Sequence, residues 1–595
     1  MRYLKRLVGF SIISSISALF AMAEDKPITT AVPADDVIIK MDPYVISGER
    51  VLPPPESWRY VLVPALEFTR GNKVVVAPGF QILSNLSEQN TKTFVEEFQL
   101  YQFAGTYLWP MIMQSLPREP IVVILDRTKQ AMSTAGDAMS LAWDGDPITG
   151  SSASAQNNTA YDSMAFNTGT QIVDNATPIV PEFFSNDPTT EAEQPTTNRY
   201  QPDGATTTSE AKPFKGRWRQ PLPAGFTYVY AKSGVVTAQI NADSPRAHSD
   251  TPVEEMLAAD LSRRLAEYVL FTFNEPPPRW FQSGFGWLIA TTSVTPTRIT
   301  YADTGDMLAN VGTMPSLEAL VNKSGKLTFE EDLLAAAFTH WGLYGEDRKH
   351  AEKFTALIKR QSTGPITPQE FQSFVGLTYK QTEQTLSTYA RTFAAFTSHQ
   401  LSGKIPDMPA FTVREATQAE VARLKADSFI SQGKPDLALN ELRIAYWRGE
   451  REPAMLVTLA DLEEKQGSVD RSKRIVQGLL ALKNPPILAY SVDAHLHFRE
   501  ATAGKAPDEK LTAKETRTIM GPLGRVIQAG QATEPLCVFF AQVVMRSGGK
   551  PHESITGFLE QAAKRFPKNT LIKQAYEFAK SNPPTTSEKP VATTP

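Results

Sequence analysis

Apolar and polar residues follow two different periods along this chain, and each period predicts one type of element. Short apolar or alternating runs predict strands at residues 61–63, 73–77, 120–125, 226–231 and 235–240. Turn residues at Gly71-Asn72 and at Lys232–Gly234 are expected to join the first two and the last two of these strands. The pattern therefore indicates a sheet in the N-terminal half of the chain.

Residues that recur every three or four positions predict helices instead. Ser87 is placed to cap a helix whose apolar side carries Phe94, Phe98 and Tyr101. A later amphipathic stretch includes Asp260 and stops at the three prolines 276–278, directly before a further helix. The chain thus mixes strands with long helices.

The second helix of this pair begins with Arg279-Trp280, and a glycine, Gly284, follows about one turn later. The segment resembles the core of the gluzincin zinc metallopeptidases, in particular the bacterial peptidase MA-like group. In that group the first helix carries H-E-x-x-H and the second opens with P-x-W-x-x-E-G. Two histidines and the later glutamate bind zinc there, and the motif glutamate activates water. Trp280 and Gly284 match the Trp and Gly of that motif.

The chemically active positions of the motif are not kept. Ser283 stands where the zinc-binding glutamate would be, and Arg263, Arg264 and Glu267 stand where the His, Glu and second His would be. A guanidinium has no lone pair to give a metal, because it stays protonated. We therefore expect no metal, no other cofactor and no catalytic residue at this site.

Charge pairing is expected to take the place of the metal. Glu267 lies four residues after Arg263 and three after Arg264, so on one helix it can meet either guanidinium. Trp280 is expected to be a buried anchor that packs against the first helix of the pair. These two expectations concern the stability of the site and not its chemistry.

The resemblance extends over about residues 58–400. It includes the strand–helix–strand start with a short helix from Thr128, the segment Pro78–Asn85 and the segment Phe338–Gly345. Residues 145–217 interrupt this region with a stretch that is rich in Asn, Thr, Ser, Gly, Asp and Pro. Because so few apolar residues occur there, we expect a mostly disordered surface insertion, with a partner-binding loop as the alternative.

Small and apolar residues return after 34 positions in the C-terminal part of the chain. The first set is Ala426, Gly433, Ala438, Leu442 and Ala445, and the second is Ala460, Gly467, Ser472, Val476 and Leu479. This period resembles that of tetratricopeptide repeats, with a third, degenerate pair at 537–545 and 555–566. The resemblance implies stacked helix pairs with a concave face for a protein or peptide partner. The alternative is a helical domain that packs on the first region and binds nothing.

The first residues have the pattern of a secretory signal peptide. Arg2, Lys5 and Arg6 precede an apolar run, and Ala21-Met-Ala23 predicts cleavage after Ala23. The alternative is an anchor that is not cleaved. We expect an exported bacterial protein, periplasmic or extracellular, that meets the membrane only transiently through this segment.

The net charge bears on the class of binding partner, and the cysteine count bears on disulfide bonds. The formal charge of −4 becomes −7 without the three cations of the signal peptide, which argues against a nucleic-acid partner. Cys537 is the single cysteine, so no internal disulfide can form, and its apolar surroundings predict a buried side chain.

These patterns predict an α+β fold, with a degenerate metallopeptidase-like domain followed by an all-α tetratricopeptide-like domain. The predicted segments are a signal peptide at 1–23, a proline-rich linker at 24–57, the first domain at 58–410, the repeats at 411–582 and a disordered tail at 583–595. The function expected is that of a non-catalytic pseudopeptidase, secreted or in the cell envelope, which binds or scaffolds through its repeats. Two alternatives stay open: a hydrolase that uses another residue set, such as Glu267 with Arg263 or Arg264, and a purely structural envelope component.

Overall fold

The structure is a computed structural model that describes residues 57–70, 73–110, 120–126, 227–232, 235–241, 253–273, 275–301, 315–392, 397–401, 405–506, 508–548, 551–567 and 569–582. The signal peptide, most of the linker, the insertion predicted at 145–217, the helix predicted from Thr128 and the tail lie outside the described residues. The described residues form a mixed fold in which helices predominate over one large and two small sheets. No described helix is both long and apolar enough to span a bilayer.

Eleven strands are present in the described residues. They are β1 Arg59–Val63, β2 Leu66–Arg70, β3 Lys73–Ala77, β4 Phe80–Ser84, β5 Ile121–Asp126, β6 Thr227–Lys232, β7 Val235–Asn241, β8 Ser293–Thr295, β9 Arg298–Tyr301, β10 Thr397–Gln400 and β11 Arg414–Glu415. The large sheet has the order β11-β1-β4-β5-β7-β6, in which β4, β5 and β7 run parallel and the outer pairings are antiparallel. The strand predicted at 120–125 and the hairpin predicted at 226–240 are confirmed as β5 and β6–β7.

The predicted pairing of strands 61–63 and 73–77 is wrong. β3 forms its hairpin with β2, and β1 pairs instead with β4 and β11. The alternation of apolar and polar residues in Leu66-Glu67-Phe68-Thr69 is a strand signal that the prediction passed over. The small sheet β10-β9-β8 lies under this hairpin, where Leu66 and Ile299 share one cluster.

Eight α-helices lie between or after these strands before residue 400 in the described ranges. They are α1 Glu88–Leu108, α2 Val253–Phe271, α3 Arg279–Ala290, α4 Leu317–Val321, α5 Phe329–Tyr344, α6 Ala351–Gln361, α7 Pro368–Val375 and α8 Tyr379–Thr392. Ser87 caps α1 as predicted, since its side chain accepts a hydrogen bond from the backbone N–H of Asn90. Glu254 and Glu255 lie in the first turn of α2, near the positive end of the helix dipole.

The C-terminal part is helical throughout its described elements. These are α9 Gln418–Ser431, α10 Pro435–Trp447, α11 Pro453–Gln466, α12 Val469–Leu480, α13 Ile487–Thr502, α14 Ala513–Gln528, α15 Glu534–Arg546, α16 Glu553–Arg565 and α17 Thr570–Ser581. Residues that are 34 positions apart occupy matching buried places, as in Ala426 and Ala460 at helix contacts of α9 and α11. Gly433 takes a φ of 74° directly after α9, a backbone conformation that glycine adopts without strain. Cys537 is buried in α15 as predicted, and burial raises the pKa of its thiol to about 11.

The two faces of the large sheet are covered by different parts of the chain. Val123 and Leu125 of β5 point into the main core with α1 and α2, while Val122 and Ile124 point to the opposite face. On that opposite face lies α9, which buries Val421 and Leu424 among the strand residues. The first helix of the predicted repeat domain therefore packs on the second face of the large sheet.

Polar contacts strengthen this second interface. The hydroxyl oxygens of Thr237 on β7 and Ser431 on α9 lie 2.5 Å apart, and the Arg423 guanidinium donates to Gln81 of β4 at 2.8 Å. The boundary predicted between residues 410 and 411 stays a prediction. The segment that follows it is nevertheless bound to the sheet through β11 and α9.

Candidate functional site

Two glycines bring the three helices of the site close together. A Cβ on Gly286 of α3 would come within 3.0 Å of the Arg263 and Glu267 side chains on α2. A Cβ on Gly284 would collide with the backbone of Ala335 and the hydroxyl of Thr339 on α5. Helix α3 is therefore wedged between α2 and α5, and a glycine is needed on each side.

Glu267 lies at the centre of this arrangement and is fully buried. Its Oε1 accepts a hydrogen bond from Arg263 Nε at 2.9 Å. Its Oε2 accepts from Arg264 at 3.0 Å and from Arg279 at 3.3 Å. One carboxylate is thus held by three guanidinium groups that come from both α2 and α3.

A second carboxylate continues the network on α5. The Arg263 guanidinium reaches Asp332 at 3.2 Å, and Ser283 donates its hydroxyl proton to the other oxygen of Asp332 at 2.5 Å. The same guanidinium lies 3.9 Å from the ring centre of Trp287, a distance that suits a cation–π contact. Ser283, for which the resemblance predicts the place of a zinc ligand, is a buried donor to a carboxylate.

The network balances its charges. Three arginines, 263, 264 and 279, face three acidic residues, Asp260, Glu267 and Asp332, with Asp260 at 4.0 Å from Arg264. Burying an ion is costly unless opposite charges and hydrogen bonds accompany it. The equal number of positive and negative groups explains how six ionisable side chains can share one interior site.

These neighbours fix the protonation of the two central groups. Burial alone would raise the pKa of Glu267, but the charges of Arg264, Arg263 and Arg279 lower it to about 2. Burial alone would lower the pKa of Arg264, but Glu267 and Asp260 raise it above its usual range. At neutral pH Glu267 is therefore ionised and occupied by donors, which is unlike a general base poised near pH 7.

The structure brings together four of the six residues that the motif comparison singled out: Arg263, Arg264, Glu267 and Ser283. The predicted pairing of Glu267 with one of the two arginines is present with both. The other two residues, Trp280 and Gly284, take part in packing around the network.

Trp280 is wholly buried, as expected, but its aromatic neighbours differ from the prediction. Its ring meets Phe338 of α5 at 4.9 Å and Phe354 of α6 at 5.6 Å between centroids, whereas the sequence had predicted packing against α2. Its indole N–H donates to Gln361 at 3.0 Å. The indole therefore ties α3 to α5 and α6, because the charged network occupies the side of α3 that faces α2.

Sequence reasoning missed three members of the network: Asp260, Arg279 and Asp332. Asp260 lies four residues before Arg264, and Arg279 lies directly before Trp280. This local spacing was the signal that could have predicted their part in the network. Asp332 lies 69 positions after its partner Arg263, and nothing local connects the two residues.

Among the residues that the structure describes, no three His, Cys, Asp or Glu side chains are grouped so that they could hold a metal ion. Comparison of the chain with family models, with curated proteins and with solved structures finds no match in any of the three. The resemblance to the gluzincin peptidases therefore rests on the sequence segments named above and stays a prediction.

Proposed function

We propose that this chain is a non-catalytic, exported binding or scaffolding protein, in which a degenerate peptidase MA-like domain carries a tetratricopeptide-like interaction module. The observation that supports the non-catalytic role is the closed network around Glu267. Every position that would hold zinc or activate water is occupied by a group engaged in an ion pair or hydrogen bond.

The alternative of a hydrolase with another residue set is less well supported by the same geometry. Ser283 is wholly buried, and the carboxylate to which its hydroxyl donates is itself held by the Arg263 guanidinium, so the hydroxyl is closed off from a substrate. Glu267 has a pKa near 2 and accepts from three arginines, which leaves it a poor proton acceptor at neutral pH.

The experiment for the non-catalytic role combines two measurements on the mature chain, purified without chelator. We expect well under one equivalent of zinc by elemental analysis and no cleavage of a peptide library by mass spectrometry. Glu267→Gln and Ser283→Ala serve as matched variants. Stoichiometric zinc, or cleavage that both variants abolish while they remain folded, would sink the proposal.

The binding role of the helical part of the chain, residues 411–582, which we call the helical module, needs a separate test on the intact chain. A cut at residue 411 would remove α9 from the sheet and expose Trp58 and Leu83, so fragments are unsuitable. A photo-crosslinking amino acid at Leu437 or Leu488, both exposed on the helical module, is compared with one at Leu62 or Val74 on the strands. We expect one specific protein adduct from the first pair in envelope extract and none from the second. The reverse pattern would place binding on the first domain.

A further inference from the structure

Net charge is distributed unevenly within the helical module. Residues 411–502 contain 13 Lys and Arg and 13 Asp and Glu, whereas residues 503–582 contain 12 and 7, a net charge of +5. The mature chain as a whole is negative. The positive excess of the module therefore lies entirely in its C-terminal half.

Helix α14 concentrates part of this excess on one side. Lys514, Arg517 and Arg525 are exposed, and their spacing places them along a single stripe of the helix, which we call the basic stripe. The opposite side of α14 is buried through residues such as Ile519 and Leu523. The stripe spans about 16 Å along the helix axis.

The three cations of the basic stripe have no carboxylate partner among the described residues. Glu515, the acid on this helix, lies off the stripe and pairs with Lys505 at 2.6 Å. Arg525 donates to the hydroxyl of Tyr490 at 2.8 Å and lies over that ring, which orients its guanidinium without neutralising it.

Helix α12 provides an internal contrast. Its cations Arg471 and Lys473 each meet a glutamate, Glu463 at 2.5 Å and Glu500 at 2.7 Å. The helical module thus pairs two of the three cations of α12 with glutamates and leaves the three cations of the basic stripe exposed. An exposed set of uncompensated charges attracts a partner of opposite sign and discriminates against one of like sign.

We propose that the basic stripe of α14 is the docking surface for an acidic protein segment, one that places several carboxylates along about 16 Å. This inference rests on the proposed binding role and names the chemical class of its partner. The arginine forks suit carboxylates, which they bind through two parallel hydrogen bonds. The overall negative charge of the mature chain would favour a neutral or basic partner, but the local charge of this surface is positive and favours an acidic one.

A lipid surface fits the stripe less well than a protein segment does. Helices that lie on membranes combine cations with large apolar side chains that enter the lipid. The large apolar residues exposed among the described residues are Leu62, Val74, Val76, Leu437 and Leu488. None of them belongs to α14, so the stripe offers charge without an apolar anchor.

The test uses the full mature chain and a fluorescently labelled oligoglutamate peptide, with binding measured by anisotropy. The stripe variant is Lys514→Glu, Arg517→Glu and Arg525→Glu combined. The matched control is Lys326→Glu, Lys353→Glu and Lys380→Glu, three exposed lysines of the first domain that give the same change in net charge. All proteins are checked for native circular dichroism, because only folded variants are compared.

We expect the natural chain to bind oligoglutamate, with an affinity that falls as salt is raised. The stripe variant should lose about tenfold or more in affinity, while the control stays within about twofold of the natural chain. Equal losses in both variants, or no binding by the natural chain, would overturn the proposal. Stripe-dependent binding to phosphatidylglycerol vesicles in place of the peptide would overturn it too.

Failure here is distinguishable from failure of the proposed function. If oligoglutamate does not bind, the acidic class of partner is wrong, yet a specific adduct at Leu488 would still support the binding role. If the adducts are absent, the binding role itself loses its support.

Discussion

Two glutamates of the described residues, Glu267 on α2 and Glu463 on α11, are wholly buried and surrounded by arginines. Glu463 accepts from Arg443 at 2.8 and 2.9 Å and from the backbone N–H of Ser468 at 2.8 Å. It lies at the end of its helix, and Arg443 keeps a quarter of its side chain exposed. Glu267 lies inside its helix, and further carboxylates stand behind its arginines.

The comparison shows that a buried glutamate with perturbed ionisation does not by itself mark an active site. Burial tends to raise the pKa of Glu463, but hydrogen bonds from Arg443, Ser468 and Arg471 lower it, much as arginines lower the pKa of Glu267. Glu463 joins neighbouring helices, and no catalytic motif surrounds it. Glu267 is held in the same way, at the position where the peptidases that this segment resembles would carry a zinc ligand.

The largest expected effect separates the two glutamates. Glu267→Gln leaves the buried guanidinium of Arg263 and the partly buried ones of Arg264 and Arg279 around a neutral amide, so we expect a loss of about 3–5 kcal/mol in the free energy of unfolding. Glu463→Gln, whose arginines retain contact with water, should lose about 1–3 kcal/mol. Urea denaturation of both variants measures the difference. An equal loss, or a smaller loss for Glu267→Gln, would show that the two clusters are energetically alike.

Removal of the apolar anchor tests how much of the stability of α3 depends on packing. Trp280→Ala empties the space between Phe338 and Phe354, and we expect a loss of about 3–5 kcal/mol. Thermal unfolding by circular dichroism detects such a loss. A Trp280→Ala variant with near-normal stability would mean that the charged network alone holds α3 in place.

Lowering the pH should reduce the stability of the folded chain, because protonation of Glu267 is linked to unfolding. The pKa of Glu267 falls from an ordinary 4.5 to about 2 in the folded chain, so its stabilisation is complete above about pH 4.5 and is lost as the pH falls towards 2. The full difference corresponds to about 3 kcal/mol. Urea unfolding between about pH 7 and pH 3 should therefore show a steeper acid loss for the natural chain than for Glu267→Gln. Parallel curves for the two proteins would contradict the assignment of this pKa.

A smaller change in the free energy of unfolding tests the close approach of α3 and α5, and a control variant should change the same quantity in the opposite direction. Gly284→Ala forces a methyl group against Ala335 and Thr339, so we expect a loss of about 1–3 kcal/mol. Gly557→Ala on α16 meets nothing within 4 Å and should gain about 0.5–1 kcal/mol through helix propensity. Denaturant midpoints of the two variants should move in opposite directions. A stable Gly284→Ala would mean that the two helices separate easily.

Much of the site could be predicted because its signals are local. The proline stop at 276–278 fixed the start of α3, and the spacing of Glu267 from Arg263 and Arg264 fixed their shared helical side. Asp332 could not be found in this way, since the approach of α5 depends on packing around Gly284. No local pattern encodes a contact between helices so far apart in the chain.

The same limit applies to the fold. Apolar runs located β5 and the β6–β7 hairpin, but β2, in which apolar and polar residues alternate, was passed over, so β3 was paired with β1. The helical period placed α9 with the repeats, where Ala426 packs with the helices that follow. It did not show the other side of α9, which carries Ser431 opposite Thr237 of the sheet. Polar positions that become buried only through tertiary contact leave no hydrophobic signal in the sequence.

The most direct test of the account is the ionisation of Glu267 itself. Its side-chain carboxyl carbon can be followed by ¹³C NMR in a chain labelled at glutamate and identified by its absence in Glu267→Gln. We predict a carboxylate that stays ionised down to about pH 2–3, because three arginines hold it. A midpoint near pH 6–7, the range of a general base, would contradict the structural role of this network and reopen the case for catalysis.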